Sequence, residues 1–259
     1  MLILLPPSET KRPGGRARPL DVPALAMPQL FPEREAVIDA LVSLSADADA
    51  DAAARVLKLS ERQRGGIADN AALRTAPTLP AVDRYTGVLY DALDAATLDA
   101  AARRWLGAHV LIHSAPFGPV RALDAIPAYR LAAGVRLPDL PPLRRVWADA
   151  VTRALAEAAP RFVLDLRSEA YAALGPVPSG IPSLYLRVVT GAATGDRAGS
   201  ETGAVRALNH FNKHAKGALV RALAEGRPRI TSGDAFRAWA ETAGLTVRTG
   251  ADGELDLVV

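Results

Sequence analysis

The sequence predicts a mixed α/β domain: a central sheet flanked by helices, with a helical hairpin element and β-hairpins towards the carboxyl terminus. One continuous apolar run, at 2–5, and two largely apolar runs, at 108–113 and 162–166, have the pattern of strands buried on both faces. Helical stretches separate them, and no Pro/Gly/Ser linker divides the 259 residues, so residues 1–259 read as one domain.

Taken in order, the strand at 2–5 opens onto Ser8, Glu9, Thr10 and Lys11, then a Gly/Pro-rich passage to Pro32. Val37, Ile38, Leu41, Val42 and Leu44 give a core-facing helix over 33–44, and a second helix runs to Leu57. Gly65-Gly66 reads as a turn between a short helix and one at 68–74, a cation-rich corner carrying Arg62 and Arg64. Helices follow at 82–92 and 97–106, then the second strand and a proline-shaped connection to Leu131. A helix at 141–159, ended by Pro160, leads to the third strand and a short helix ending at Leu174.

Residues 184–190 alternate as a strand, 191–203 form a glycine-rich loop, and 204–210 are expected to pair back as a hairpin arm. A helix bearing Lys213 and Lys216 then runs to Glu225, with Gly226 at its C-cap. A final helix at 233–243, capped by Ser232, precedes a closing hairpin turned by residues 250–253.

Composition excludes several chemistries. With no cysteine there is no disulfide, thiolate metal site, iron–sulfur cluster or cysteine nucleophile. The apolar start is too short for a signal sequence, and no run reaches the roughly 20 apolar residues of a membrane helix. The expectation is a soluble cytoplasmic protein without cofactor. A formal charge of +3 permits polyanion binding without demanding it.

Of 31 cationic residues only Lys11, Lys58, Lys213 and Lys216 are lysines. Two of these fall in residues 209–216, Asn-His-Phe-Asn-Lys-His-Ala-Lys, together with two of the four histidines. A lysine retained in an arginine-dominated chain points to a place where a compact ammonium suits better than a planar fork. In the first turn of their expected helix, Lys213 and Lys216 would oppose the macrodipole, a cost of up to ~1 kcal/mol that suggests an anion site. His210 and His214 have helical metal-pair spacing but no adjacent glutamate or third ligand, so no metal is expected. Ser168 has the position of an N-cap as well as that of a polar donor.

Each of the three apolar strands delivers a polar cluster at its carboxyl end: Ser8 to Lys11, Ser114 to Arg121, and Arg167 with Ser168. If the strands are parallel neighbours, these clusters line one crevice.

The ordered fragments resemble the YaaA family of bacterial peroxide-stress proteins. They comprise the opening strand with its Ser/Thr/Lys loop, Leu59-Ser60-Glu61, Tyr85-Thr86-Gly87-Val88-Leu89-Tyr90, and Gly118-Pro119-Val120-Arg121-Ala122-Leu123-Asp124. Pro127-Ala128-Tyr129-Arg130-Leu131, then Leu164-Asp165-Leu166-Arg167-Ser168-Glu169, and Asn212-Lys213-His214-Ala215-Lys216-Gly217 continue the match. The resemblance implies one α/β domain with a positively charged cleft and a helical hairpin, double-stranded DNA binding, and limitation of iron-linked oxidative damage. The cleft cations are then Lys11, Arg121, Arg130, Arg167, Lys213 and Lys216, with Ser168, Asn212 and His214 as polar donors and Arg62 and Arg64 on the hairpin. Contacts of this kind hold phosphates without reading sequence. The alternative is an enzyme acting on a small anionic or nucleotide-like substrate in the same crevice, with Lys213, Lys216, Ser168, Tyr129 and Asp124 as its polar groups.

Overall fold

The computed structural model describes residues 1–46, 49–189 and 201–259, with the side chains of the last stretch beginning at His210. Its strands are β1 (Leu2–Leu5), β2 (Leu79–Pro80), β3 (Val110–Ser114), β4 (Gly118–Arg121), β5 (Ala125–Ile126), β6 (Val163–Asp165), β7 (Ser183–Val189), β8 (Thr246–Thr249) and β9 (Glu254–Val258). Its helices are α1 (Phe31–Ala46), α2 (Ala50–Leu57), α3 (Gly65–Ala71), α4 (Ala81–Arg84), α5 (Val88–Leu93), α6 (Ala100–His109), α7 (Leu143–Ala158), α8 (Glu169–Ala172), α9 (Glu201–Gly226) and α10 (Gly233–Thr242).

Seven strands form one sheet in the order β4-β3-β1-β6-β7-β9-β8. The three apolar runs are its centre, and they are parallel: Ile3 pairs with Val110 on one side and Leu164 on the other. Burial on both faces explains why these strands lack alternation. The sheet continues in parallel through β7 and β9, while β4 and β8 close its two edges antiparallel. Helix α1 buries Val37, Ile38 and Leu41 as its periodicity demands, and Asp99 and Ser232 cap α6 and α10 through their side chains.

Four expectations are corrected. Residues 204–210 are not a hairpin arm but part of α9, so β7 takes β9 as its outer neighbour. Short alternation fits a helix as well as a strand, and Ala, Arg and Leu favour the helix. Of the expected loop at 191–203, residues 191–200 lie outside the described residues.

Gly65 and Gly66 open α3 rather than forming a turn. The expected helix at 82–92 breaks at Gly87, which takes φ +93 between α4 and α5. At the end of α9 it is Arg227, not Gly226, that adopts the left-handed conformation.

Candidate functional site

Because β3, β1 and β6 run parallel side by side, their carboxyl ends open on one edge of the sheet. The chain leaves β1 through Pro6 and Pro7, and Lys11 forms an isolated bridge with Tyr85. The loop is tied down by Thr10 Oγ1, which donates to the Thr86 carbonyl at 3.2 Å. The left-handed Gly87 allows this approach, since a Cβ there would stand 3.2 Å from Thr10 Oγ1.

Lys11 Nζ donates to the Ser8 carbonyl at 2.9 Å and to the Glu9 carbonyl at 3.4 Å. It stands 3.9 Å from the centre of the Tyr129 ring and 5.4 Å from that of Tyr85. The two tyrosine hydroxyls are 2.8 Å apart, and Ser114 Oγ, at the end of β3, donates to Tyr129 Oη at 3.2 Å. Burial pushes both phenols well above their ordinary pKa, so they stay protonated. Burial also lowers Lys11 to about 7, helped by the nearby Arg130 and Arg84 charges and opposed by Glu9 and Asp69.

Arg130 donates to the Glu9 carbonyl at 2.7 Å and pairs with its carboxylate at 3.0 Å. The backbone of Arg130 is clamped by the Asn70 side chain of α3, which accepts from its N–H and donates to its carbonyl. A Cβ on Gly66 would lie 2.5 Å from the Arg130 Cβ. Gly66 therefore seats the cleft wall against Arg130. Arg64 is held by Asp51 and Glu61, and Arg62 is exposed. Ser8, Lys11, Lys58, Gln63, Arg130 and Tyr171 line a cleft of about 420 Å³.

At the end of β6, Arg167 is buried and grips Asp165 through two N–H···O bonds of 2.9 and 2.6 Å. Its Nη1 donates to His113 Nδ1 at 2.9 Å, so that nitrogen is the acceptor and the ring proton sits on Nε2. Nε2 is buried and has no hydrogen-bond partner among the described residues. Burial, and then the Arg167 charge, hold His113 well below its ordinary pKa. Ser168 is exposed; its side chain makes no cap bond, while its carbonyl accepts from the N–H groups of Tyr171 and Ala172.

Lys216 reaches from α9 to donate to the Leu166 carbonyl at 2.9 Å, and burial lowers it to about 8 against the pull of Asp165. Lys213, His210 and His214 are exposed and Asn212 is half-buried on the same helix. Since α9 begins at Glu201, Lys213 and Lys216 are not in a first turn and do not oppose the macrodipole there.

Arg121 lies at the opposite end of the strands: β4 runs antiparallel, so Arg121 pairs with Leu111 near the start of β3 and donates to the carbonyls of Gly107 and Ala108. It is not part of the crevice. Asp124 likewise serves the loops, accepting from the N–H groups of Ala26 and Arg121.

Two further arginines are fully buried and, among the described residues, have no carboxylate partner. Arg34 donates to the carbonyls of Phe117, Met27, Ala26 and Pro119, and Arg84 to those of Ile126, Arg12, Gly14 and Pro77. Neither this use of arginine nor the Tyr85–Tyr129 pair or the His113–Arg167 contact was readable from the sequence. Their partners come from distant segments.

A family model described as "Peroxide stress protein YaaA" matches residues 1–249. The chain belongs to the YaaA family. A UPF0246 protein of Corynebacterium efficiens is 44% identical over 265 residues, spanning 100% of both chains. A UPF0246 protein of Streptomyces coelicolor is 46% identical over 224 residues, 86% of this chain and 82% of the relative. Among the described residues of this YaaA-family chain, no group of three or more His, Asp or Glu is placed to hold a metal ion. No helix among them is long and apolar enough to cross a membrane.

The shifted groups set a pH dependence. Lys11 at about 7 and Lys216 at about 8 lie below the ordinary 10.5, so over that window the unfolded chain holds protons that the folded chain lacks. Stability therefore rises with pH across the window. Tyr85, Tyr90 and Tyr129 act in the opposite sense, keeping protons above their ordinary 10.0, so stability falls beyond it. Urea unfolding across pH is expected to show a maximum near pH ~10, and Lys11→Met to flatten the rise towards it. A wild-type profile that is level from pH ~7 to ~10 rules this account out.

Proposed function

We propose that this peroxide-stress protein binds a small anionic, nucleotide-like ligand in the cleft beside the loop that follows β1. The observation that carries the reading is the cleft of about 420 Å³ in which Lys11, Lys58 and Arg130 face a single carboxylate, Glu9, already paired with Arg130. Cavities of roughly 300–1,000 Å³ suit ligands of drug or cofactor size. A duplex instead needs a row of accessible cations along successive phosphates. Arg64 and Arg167 are already engaged with carboxylates, and Lys216 with a backbone carbonyl.

The second reading is non-sequence-specific binding of double-stranded DNA on the outer surface, favoured by the exposed Arg62, Lys213 and His214. Action in the cytoplasm and limitation of iron-linked oxidative damage belong to the same proposal.

Calorimetric titration with ribose 5-phosphate and adenosine monophosphate tests the first reading. One saturable site per chain is expected, weakened at least ~10-fold by Lys58→Ala combined with Arg130→Met, a loss of ~1.4 kcal/mol. Absence of saturable binding by both compounds defeats it. Duplex binding that falls steeply with salt and is lost in Arg62→Ala/Lys213→Ala transfers the function to the outer surface.

A further inference from the structure

We infer that Lys11 is an imine-forming lysine, placed to attack the carbonyl carbon of an aldehyde of the sugar-phosphate class held in the cleft. The inference rests on the small-anion reading of that cleft and adds a reaction to it.

Geometry comes first. Two of the four lysines line the cleft: Lys58 is exposed at its rim, and Lys11 is partly buried within it. Lys11 Nζ has two carbonyl acceptors, at 2.9 and 3.4 Å, and among the described residues no carboxylate ion pair. Two carbonyls accept equally from an ammonium and from a neutral amine, so deprotonation breaks neither bond and leaves the third position a lone pair.

The residue type is informative because the same protein solves a similar structural problem differently. Where buried carbonyls must be gathered, it places a guanidinium, as at Arg34 and Arg84, each serving four. A guanidinium stays charged in proteins, whereas an amine can shed its proton and act as a nucleophile. Lys11 also bridges carbonyls, yet it is a lysine, and it lines a ligand-sized cavity.

The surroundings supply the rest. Arg130 and Arg84 favour the neutral amine, Glu9 and Asp69 favour the ammonium, and burial tips the balance so that Lys11 titrates at about 7. Lys58 and Arg130 provide positive charge for the phosphate of the substrate.

In the reaction the Nζ lone pair forms a C–N bond to the aldehyde carbon, and the C=O π pair moves to oxygen, which takes up a proton. Nitrogen loses a proton, water leaves, and the nitrogen lone pair closes the C=N bond. The net change is one water released, with no oxidation or reduction.

The test uses the full-length protein with ribose 5-phosphate, or with a duplex carrying one abasic deoxyribose, and cyanoborohydride to reduce the imine to a stable amine. Peptide mapping is expected to place the label on Lys11 at least ~10-fold above Lys58 and Lys213 at pH 7, because a lysine titrating near 7 has ~10³-fold more neutral amine there than one at the ordinary 10.5, and about fivefold above Lys216, which lies at about 8. The advantage should shrink as pH rises towards 10, and Lys11→Arg should lose the label. The pH series on the wild-type protein is decisive even if that variant folds poorly. Labelling by ribose 5-phosphate alone marks a free metabolite as the substrate class, and labelling by the abasic duplex marks a nucleic-acid aldehyde. Equal labelling of all four lysines, or none, overturns the inference. Saturable ribose 5-phosphate binding without a label leaves the small-anion reading standing and removes only the imine step.

Discussion

Replacing Arg167 by alanine is expected to lower the unfolding free energy by about 3–5 kcal/mol, because it strands a buried carboxylate rather than merely deleting a contact. Asp165 and Arg167 are 7% and 1% exposed, and the guanidinium also supplies the donor to His113 Nδ1. Without it, Asp165 must ionise alone or take up a proton, and His113 loses its one hydrogen bond to a side chain. Urea unfolding at neutral pH measures the loss. The paired change Asp165→Asn with Arg167→Met should recover much of it, since removing both charges together leaves none uncompensated. A single-variant cost below ~1 kcal/mol means that water reaches Asp165 and the site is not dry.

The second large effect is expected at Gly217, where α9 crosses α5. A Cβ there would overlap the Leu89 carbonyl oxygen and stand 2.9 Å from the Ala92 Cβ. A backbone carbonyl cannot rotate away as a side chain does, so Gly217→Val must push the helices apart, at a cost of about 3 kcal/mol or more. The same displacement draws the neighbouring Lys216 off the Leu166 carbonyl. Thermal unfolding should separate this variant from Ala218→Val, on the exposed face of α9, whose cost is limited to helix propensity at ~0.7 kcal/mol or less. Equal losses for the two variants dismiss the close approach as the cause.

These two sites show what the sequence made readable. The central strands announce themselves because burial on both faces removes polar residues from 2–5 and 163–164, and their parallel pairing gathers the polar ends at one edge. Arg121 escaped the same logic because β4 turns back, carrying the last residue of its cluster to the far end. Lys213 and Lys216 were assigned to a helix start because residues 204–210, read as a hairpin arm after a glycine-rich stretch, span too few positions to distinguish the two periods. Gly217 and Gly66 could be read only as glycines, since their meaning lies in Leu89 and Arg130, brought close by tertiary packing. Within the crevice, the ends of β1 and β6 were legible, but the aromatic floor under Lys11 was not. It needs Tyr85 and Tyr129, joined across 44 residues by one hydroxyl contact.

The carbonyl-gathering arginines bear on how the crevice behaves in time. By composition the passage after Lys11 is a loose Gly/Pro loop, yet Arg84 holds the carbonyls of Arg12 and Gly14, and Arg34 those of Ala26 and Met27. The Arg12 N–H in turn donates to the Arg84 carbonyl at 2.8 Å. The segment is thus anchored at both ends by carbonyls whose release would leave a buried guanidinium short of acceptors. Lys11 accordingly stands on a backbone held in place by these contacts, and its amine is preorganised.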